Sequence, residues 1–94
     1  MYTMNPAQNS QNMQLDLSVL FQLSRRKQRR ILGEHLYPLI YSIYPNFMPH
    51  KLTDILLDIN SIGVLISMLN DPELFHLKLK DAVNVLQTYY AMTK

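Results

Sequence analysis

The chain has 94 residues, of which 48% are hydrophobic and 17% charged, with a formal net charge of +2 and no cysteine. This length accommodates one domain, and the apolar content is too high for a wholly disordered segment. The lack of cysteine excludes a disulfide framework and a thiolate metal site, and it fits a reducing compartment.

The N-terminal segment differs in composition from the rest of the chain. Residues 1–14 are rich in Asn, Gln, Met and Ser and show no apolar periodicity, so we interpret them as the end of a flexible linker before a domain over residues 15–94. They lack the basic region followed by an apolar region that a signal peptide has. No apolar run in the chain approaches the ~20 residues of a membrane span. We therefore expect a cytoplasmic protein without membrane contact. A short first helix is predicted between Leu15 and Leu23.

The second predicted helix runs from Arg25 to Tyr44, with Ser24 placed as its N-cap. Its apolar residues recur at three- and four-residue spacing, the pattern of a helix packed on one side. Gly33 lies inside it and costs ~1 kcal/mol relative to Ala. Such a loss is tolerated where a backbone or a ligand must come close. The apolar positions are Ile31, Leu32, Leu36, Leu39, Ile40 and Ile43.

Three more helices are predicted from start signals and apolar stripes. Pro49 can occupy the first turn of a third helix, and Ser61 can cap a short fourth. A fifth helix should start at Pro72, whose φ is preset for a helix, and run to about Met92. Before it, Asp71 supplies an N-cap carboxylate, and Glu73 adds a negative charge suited to the helix dipole. Without a period-two pattern, the sequence predicts an all-α bundle of about five helices. The apolar stripe of the third helix is Leu52, Ile55, Leu56 and Ile59. That of the fourth is Val64, Leu65, Met68 and Leu69, and that of the fifth is Leu79, Val83, Leu86 and Tyr90.

Catalytic or metal-binding chemistry has little support in the residues. The three histidines fall on different predicted helices or their edges, and we interpret them as surface residues. With only Gly33 and Gly63 as glycines, there is no phosphate-cradling loop. Asp54 and Asp58 are four residues apart on one helix face, which a solvated surface explains. We expect no enzyme activity, no metal and no cofactor.

The basic run from Arg25 to Arg30 contains five of the nine basic residues. It could bind phosphates or acidic lipid, or act as a nuclear import signal; the alternative is a solvated start of the second helix. Cations there oppose the helix dipole by a few tenths of a kcal/mol each, so a role in binding a partner stays open. Basic residues spread over a whole face, as for nucleic acid, are absent, and we expect no direct RNA binding.

Surplus apolar surface indicates a binding groove. A domain of this size buries only ~60–65% of the surface that its unfolded chain exposes. Tyrosine rings at helical spacing suit a half-exposed groove lining, with the apolar ring inside and the hydroxyl outside. These tyrosines are Tyr37, Tyr41, Tyr44, Tyr89 and Tyr90.

Four ordered blocks over about residues 25–90 carry a resemblance to a known family. GEHLYPLI at residues 33–40 resembles the GERLFPLI of the MLLE domain at the C-terminus of poly(A)-binding proteins, and KLTDILLD at residues 51–58 resembles its KITGMLLE. Later, DPE at residues 71–73 and DAVNVLQ at residues 81–87 are similar to its SPES and EAVAVLQ. The chain is thus identified as similar to MLLE domains.

The resemblance implies a right-handed superhelix of four or five helices and two pockets for short linear peptides. A Phe of the peptide enters a pocket between helices 2 and 3, and a Leu enters one between helices 3 and 5, as in anchor-in-pocket recognition. By the resemblance, the Phe pocket involves Gly33, Glu34, Tyr37, Lys51, Thr53 and Leu57. The Leu pocket involves Ile55, Leu56, Ala82, Val85 and Leu86. Candidate flanking contacts are Arg30, Asp54, Asp58 and Tyr89.

Three positions depart from the family pattern: His50 and Asp54 replace glycines near the Phe pocket, and Tyr89 replaces a histidine. They predict an altered peptide preference, with a less tolerant aromatic pocket or a basic peptide residue favoured beside Asp54.

The function that the resemblance implies is that of a monomeric, peptide-binding adaptor domain of a poly(A)-binding protein. It would recruit translation and deadenylation factors that carry poly(A)-binding-protein-interacting motifs. The alternatives are an MLLE domain of another protein, such as an RNA-transport protein or a HECT-type ubiquitin ligase, and a basic helix that contacts nucleic acid.

Overall fold

The computed structural model describes residues 15–92, and this part contains five α-helices and no strand. The predicted linker at residues 1–14 lies outside the described residues, as does the end of the predicted domain at residues 93–94. The all-α prediction is confirmed. The right-handed sense of the superhelix stays a prediction. The helices are α1 (Leu17–Leu20), α2 (Arg25–Ile43), α3 (Pro49–Ile59), α4 (Ile62–Asn70) and α5 (Pro72–Met92).

Helix α1 is shorter than predicted, because the apolar residues around it do not share one buried face. Leu20 is buried, whereas Val19 and Phe21 are 51% and 60% exposed. Asp16 caps the helix, and its carboxylate accepts hydrogen bonds from the Ser18 hydroxyl and from the backbone N–H groups of Ser18 and Val19. The Ser18 hydroxyl contributes most to lowering the pKa of Asp16.

The predicted caps of the longer helices are confirmed. The Ser24 hydroxyl accepts a hydrogen bond from the Lys27 N–H at 3.3 Å and begins α2, and Ser61 caps α4 in the same way. One carboxylate oxygen of Asp71 accepts the N–H groups of Glu73 and Leu74 at 3.1 and 3.2 Å. These side chains satisfy backbone donors that have no partner within a helix.

Helix α3 begins at Pro49 after a strained residue. Met48 has φ 51° and ψ 58°, in the left-handed region, which is uncommon for a residue with a Cβ and costs ~1 kcal/mol or more. The Tyr90 hydroxyl donates a hydrogen bond to the Met48 sulfur. The end of α5 therefore contacts the residue at which the chain turns into α3.

The hydrophobic core surrounds α3, which packs against α2, α4 and α5. The buried faces are narrower than the predicted stripes at the helix ends: Leu39 and Ile43 at the end of α2 are 37% and 38% exposed, and Ile59, the last residue of α3, is 50% exposed. On α5, Phe75 and Ala82 are buried, while Tyr90 of the predicted face is 39% exposed. The buried apolar residues are Leu20, Leu32, Leu36, Ile40, Leu52, Leu56, Leu57, Leu65, Met68, Phe75, Leu79, Ala82 and Leu86.

We expect Leu36→Ala to lower the free energy of unfolding by about 2–5 kcal/mol, because Leu36 is fully buried and its loss leaves a cavity. The matched control is Leu77→Ala, since Leu77 is 62% exposed on α5, and its effect should stay within about 0.5 kcal/mol. Urea denaturation followed by circular dichroism measures both. Equal losses in the two variants would contradict this description of the core.

Candidate functional site

An open cavity of about 420 Å³ lies between α2 and α3. Side chains three or four residues apart share one face of a helix, and each helix contributes one such face. The cavity is lined by Arg29, Arg30, Gly33, Glu34 and Tyr37 of α2 and by His50, Thr53, Asp54 and Leu57 of α3.

Gly33 and Leu57 form the floor of the cavity. A Cβ atom at Gly33 would lie 3.2 Å from Cδ1 of Leu57 and 3.9 Å from Cγ2 of Thr53. The first distance is tight for a Cβ contact, so α2 and α3 approach closely because position 33 has no side chain. The Thr53 hydroxyl donates to the Pro49 carbonyl at 2.8 Å. That bond satisfies the hydroxyl within α3 and leaves the methyl group facing Gly33, so the floor is apolar.

Two aromatic rings stand at one end of the cavity. The rings of Tyr37 and His50 are stacked, with centroids 4.6 Å apart, and the Tyr37 hydroxyl lies 3.4 Å from Nε2 of His50. His50 and Asp54, which replace family glycines, both belong to the lining. Two of the three departures from the family pattern therefore lie at the cavity itself.

Arg29 joins α2 to α3 at the other end of the cavity. Its Nη1 donates to the Leu57 carbonyl at 2.6 Å, and its Nη2 donates to the Asp58 carboxylate at 2.7 Å. The Leu57 carbonyl is among the last four of α3, which have no partner within the helix. A cation also suits the negative end of the α3 dipole. Arg29 therefore stabilises the helix pair, and α2 and α3 run antiparallel, with the start of α2 beside the end of α3.

The structure separates Arg29 from the rest of the basic run. No hydrogen bond or ion pair through the side chains of the other four cations occurs within residues 15–92. The interpretation of the whole run as a solvated surface is wrong for Arg29. The spacing 29, 33, 37 places Arg29 on the same helix face as Gly33 and Tyr37, but it does not identify the partner of Arg29 on α3. Asp58, a predicted flanking contact, pairs with Arg29. The other cations are Arg25, Arg26, Lys27 and Arg30.

Five of the six residues predicted for the Phe pocket line this cavity: Gly33, Glu34, Tyr37, Thr53 and Leu57. Lys51 is exposed and does not belong to the lining. Two predicted flanking residues, Arg30 and Asp54, belong to it as well, and His50 and Arg29 complete it. That these residues bind a peptide stays a prediction.

The five residues predicted for the Leu pocket belong to α3 and α5, two helices that pack against each other. Leu56, Ala82 and Leu86 are 0%, 0% and 2% exposed and belong to the core. Ile55 is half-buried, and Val85 is 44% exposed. Only Ile55 and Val85 of the five are therefore accessible from solvent, and the pocket stays a prediction. Tyr89, the remaining flanking candidate, is 59% exposed on α5.

Among residues 15–92, no three His, Cys, Asp or Glu side chains are grouped so that they could hold a metal ion. No helix in this part of the chain is both long enough and apolar enough to cross a bilayer.

A protein-family model described as the MLLE domain matches residues 19–86, which is more than half of the chain. The match extends from α1 to α5 and includes both helices of the cavity. It starts before residue 25, where the sequence blocks began to show the resemblance.

We expect Arg29→Gln to lower the free energy of unfolding by about 1 kcal/mol, because it removes a charged hydrogen bond to a helix end and a partly exposed ion pair. Arg25→Gln is the control, since it removes the same charge from the exposed start of α2. It should leave stability unchanged or raise it by a few tenths of a kcal/mol. Equal effects in urea denaturation would show that Arg29 does not join the helices.

Proposed function

The chain belongs to the MLLE domain family, and we propose that its cavity between α2 and α3 holds an aromatic side chain, preferentially Phe, of a short linear peptide. MLLE domains are protein-interaction domains that bind short peptide motifs. The observation that carries the proposal is the apolar floor at Gly33 and Leu57, open to solvent between two helices.

The dimensions and chemistry of the cavity support an aromatic anchor. Ligand pockets commonly measure ~300–1,000 Å³ and combine an apolar lining with a few polar groups, and this cavity measures about 420 Å³. A Phe ring packed over Gly33 would gain apolar burial. Tyr37 and His50, whose rings stack on each other with centroids 4.6 Å apart, would offer aromatic surface to that ring. Binding therefore needs no change in the packing of α2 against α3.

A second anchor, Leu, is proposed at the α3–α5 contact. Ile55 of α3 is half-buried and Val85 of α5 is 44% exposed, whereas Leu56 and Ala82 are buried. Two anchors separated in this way would require an extended peptide that passes over α3. Asp54 and Glu34 belong to the cavity lining and would favour a basic peptide residue beside the Phe.

The proposed cellular role is that of an adaptor in the cytoplasm, within a poly(A)-binding protein. It would recruit translation and deadenylation factors through their poly(A)-binding-protein-interacting motifs. An MLLE domain of another protein is the second candidate. The observation that favours it is the position of His50 and Asp54 in the cavity lining, where the family pattern has glycine.

Removal of the aromatic anchor should weaken binding by about 30-fold or more, the loss typical of a residue that dominates an interface. The probe is a synthetic peptide with both anchors, compared with its Phe→Ala and Leu→Ala versions by isothermal titration calorimetry. Equal affinity with and without Phe would refute the aromatic pocket.

Gly33→Gln should reduce the affinity for the two-anchor peptide to that of the Phe→Ala peptide, because its side chain fills the cavity. It should have little further effect on the Phe→Ala peptide itself. Gly63→Gln is the matched control, since a Cβ there meets no atom closer than 4.0 Å. If Gly63→Gln weakened binding as much as Gly33→Gln, the cavity would not be the site. Thermal unfolding of both variants checks that they fold.

A further inference from the structure

A second cavity, of about 390 Å³, lies where residues at the end of α2, the end of α4 and the start of α5 come together. This α2–α4–α5 cavity shares no lining residue with the α2–α3 cavity. Six residues of an α-helix turn by about 600°, so Leu39 points about 120° away from Gly33 around α2. The two cavities therefore lie on different sides of that helix. The second is lined by Leu39, Ser42 and Ile43 of α2, Met68 and Leu69 of α4, and Pro72, Phe75 and His76 of α5.

The fold leaves part of the apolar surface of this cavity uncovered. Leu39 and Ile43 follow the apolar spacing of α2, yet they are 37% and 38% exposed. Met68 and Phe75 are buried and also belong to the lining. The three helices therefore form a recess in which an apolar group would be buried. Its volume of about 390 Å³ lies within the ~300–1,000 Å³ of ordinary ligand pockets.

The two polar side chains of the α2–α4–α5 cavity offer hydrogen-bond acceptors but no spare donor. The Ser42 hydroxyl donates to the Leu39 carbonyl at 2.7 Å, so its hydrogen is used and its oxygen can still accept. Nδ1 of His76 lies 2.7 Å from the Pro72 carbonyl. Because a carbonyl only accepts, Nδ1 carries the hydrogen, and Nε2 of the neutral imidazole is an acceptor. No hydrogen bond to Nε2 of His76 occurs within residues 15–92.

A tryptophan side chain matches both the apolar recess and its acceptors. The indole ring is large and apolar, and its N–H group donates a hydrogen bond but accepts none. A phenylalanine ring would give the acceptors no partner, and a tyrosine hydroxyl would bring a further acceptor beside them. A desolvated acceptor without a partner costs more free energy than a formed hydrogen bond contributes. The donor-only indole is therefore the best match among the aromatic side chains.

We propose that the α2–α4–α5 cavity binds the indole ring of a tryptophan in a partner protein, whose indole N–H donates to the Ser42 hydroxyl or to Nε2 of His76. The 94 residues contain no tryptophan, so a second copy of this chain cannot supply the ring. The site lies outside the α2–α3 cavity, and the inference does not depend on the function proposed for that cavity.

The surface beside the cavity suits a polypeptide better than a free small molecule. Pro72 and His76 also line a more open depression on α5, together with Glu73, Leu77 and Lys80. Leu77 is 62% exposed there, so the residues next to the tryptophan would find further apolar surface. A free indole compound would occupy the cavity alone and leave this depression uncovered.

The probe for this site is N-acetyltryptophanamide, in which the tryptophan carries an amide group on each side as it does in a protein. Heteronuclear NMR titration of the isotope-labelled chain measures its affinity at each site separately. The backbone amides of Ser42, Leu69 and His76 report the α2–α4–α5 cavity, and that of Gly33 reports the α2–α3 cavity. At the first site we expect the probe to bind about threefold to tenfold more tightly than its indole N-methyl derivative, which lacks the donor.

Variants separate the acceptors from the space in the cavity. In Ser42→Ala/His76→Leu the preference for the free indole N–H should disappear, because both acceptors are gone while the apolar walls remain. Ser42→Phe should abolish binding by filling the cavity. Its matched control is Ser67→Phe, since Ser67 is exposed on α4 and outside the lining. Ser42 and His76 are exposed as well, so all the variants should fold, which thermal unfolding checks.

Several results would overturn the inference. If the amides that report the α2–α4–α5 cavity do not shift, or if Ser67→Phe abolishes binding as Ser42→Phe does, the cavity is not the site. If the N-methyl derivative binds equally well, or if the preference persists in Ser42→Ala/His76→Leu, the acceptors do not select the ring. If N-acetylphenylalaninamide binds as tightly as the probe, the cavity accepts any apolar side chain. If free indole binds more tightly than the probe, the occupant is a small molecule rather than a protein.

Discussion

The close approach of α2 and α3 at Gly33 is the constraint on which the candidate site depends. Because position 33 lacks a side chain, Leu57 can lie against the backbone of α2, where a Cβ would be only 3.2 Å from its Cδ1. The contact has two consequences. It buries Leu57 and Thr53 between the helices, and it leaves an apolar floor that a ligand can reach from solvent. The same glycine therefore serves the fold and the site, and its substitution tests both.

Electrostatics at the two helix ends reinforce this packing. The start of α2 carries an unusual density of cations, which the dipole of that helix disfavours. The antiparallel arrangement places the end of α3 beside them, and Arg29 uses this proximity to bind the Leu57 carbonyl and Asp58. Only one cation can occupy that position. Arg25, Arg26, Lys27 and Arg30 remain exposed at the start of α2, and Arg30 lines the cavity.

The two predicted pockets differ in what they require of the protein. The α2–α3 cavity is already open, so an aromatic side chain could enter with little rearrangement. At the α3–α5 contact, Leu56, Ala82 and Leu86 are closed off by their own packing. A ligand there exchanges one apolar contact for another and gains less from burial than from filling an open cavity. In the proposed function, the aromatic anchor would therefore contribute more binding free energy than the aliphatic one.

The sequence by itself determined the helices and much of the aromatic site. Caps and breakers such as Ser24, Ser61 and Asp71 act through hydrogen bonds to residues two or three positions away, so local sequence identifies helix starts. The ordered blocks at residues 33–40 and 51–58 carried the family resemblance, and five of the six residues assigned from it line one cavity.

Only the tertiary structure decided which apolar residues are buried and which charges are paired. The predicted stripe of α2 included Leu39 and Ile43, which are exposed because the neighbouring helices cover only part of that face. Arg29 and Asp58 are 29 residues apart in sequence, and no local pattern identifies such a pair. Lys51 follows His50 directly but does not belong to the cavity lining. Helical spacing gives the relative directions of side chains on one helix, whereas the packing of neighbouring helices determines which direction faces the site.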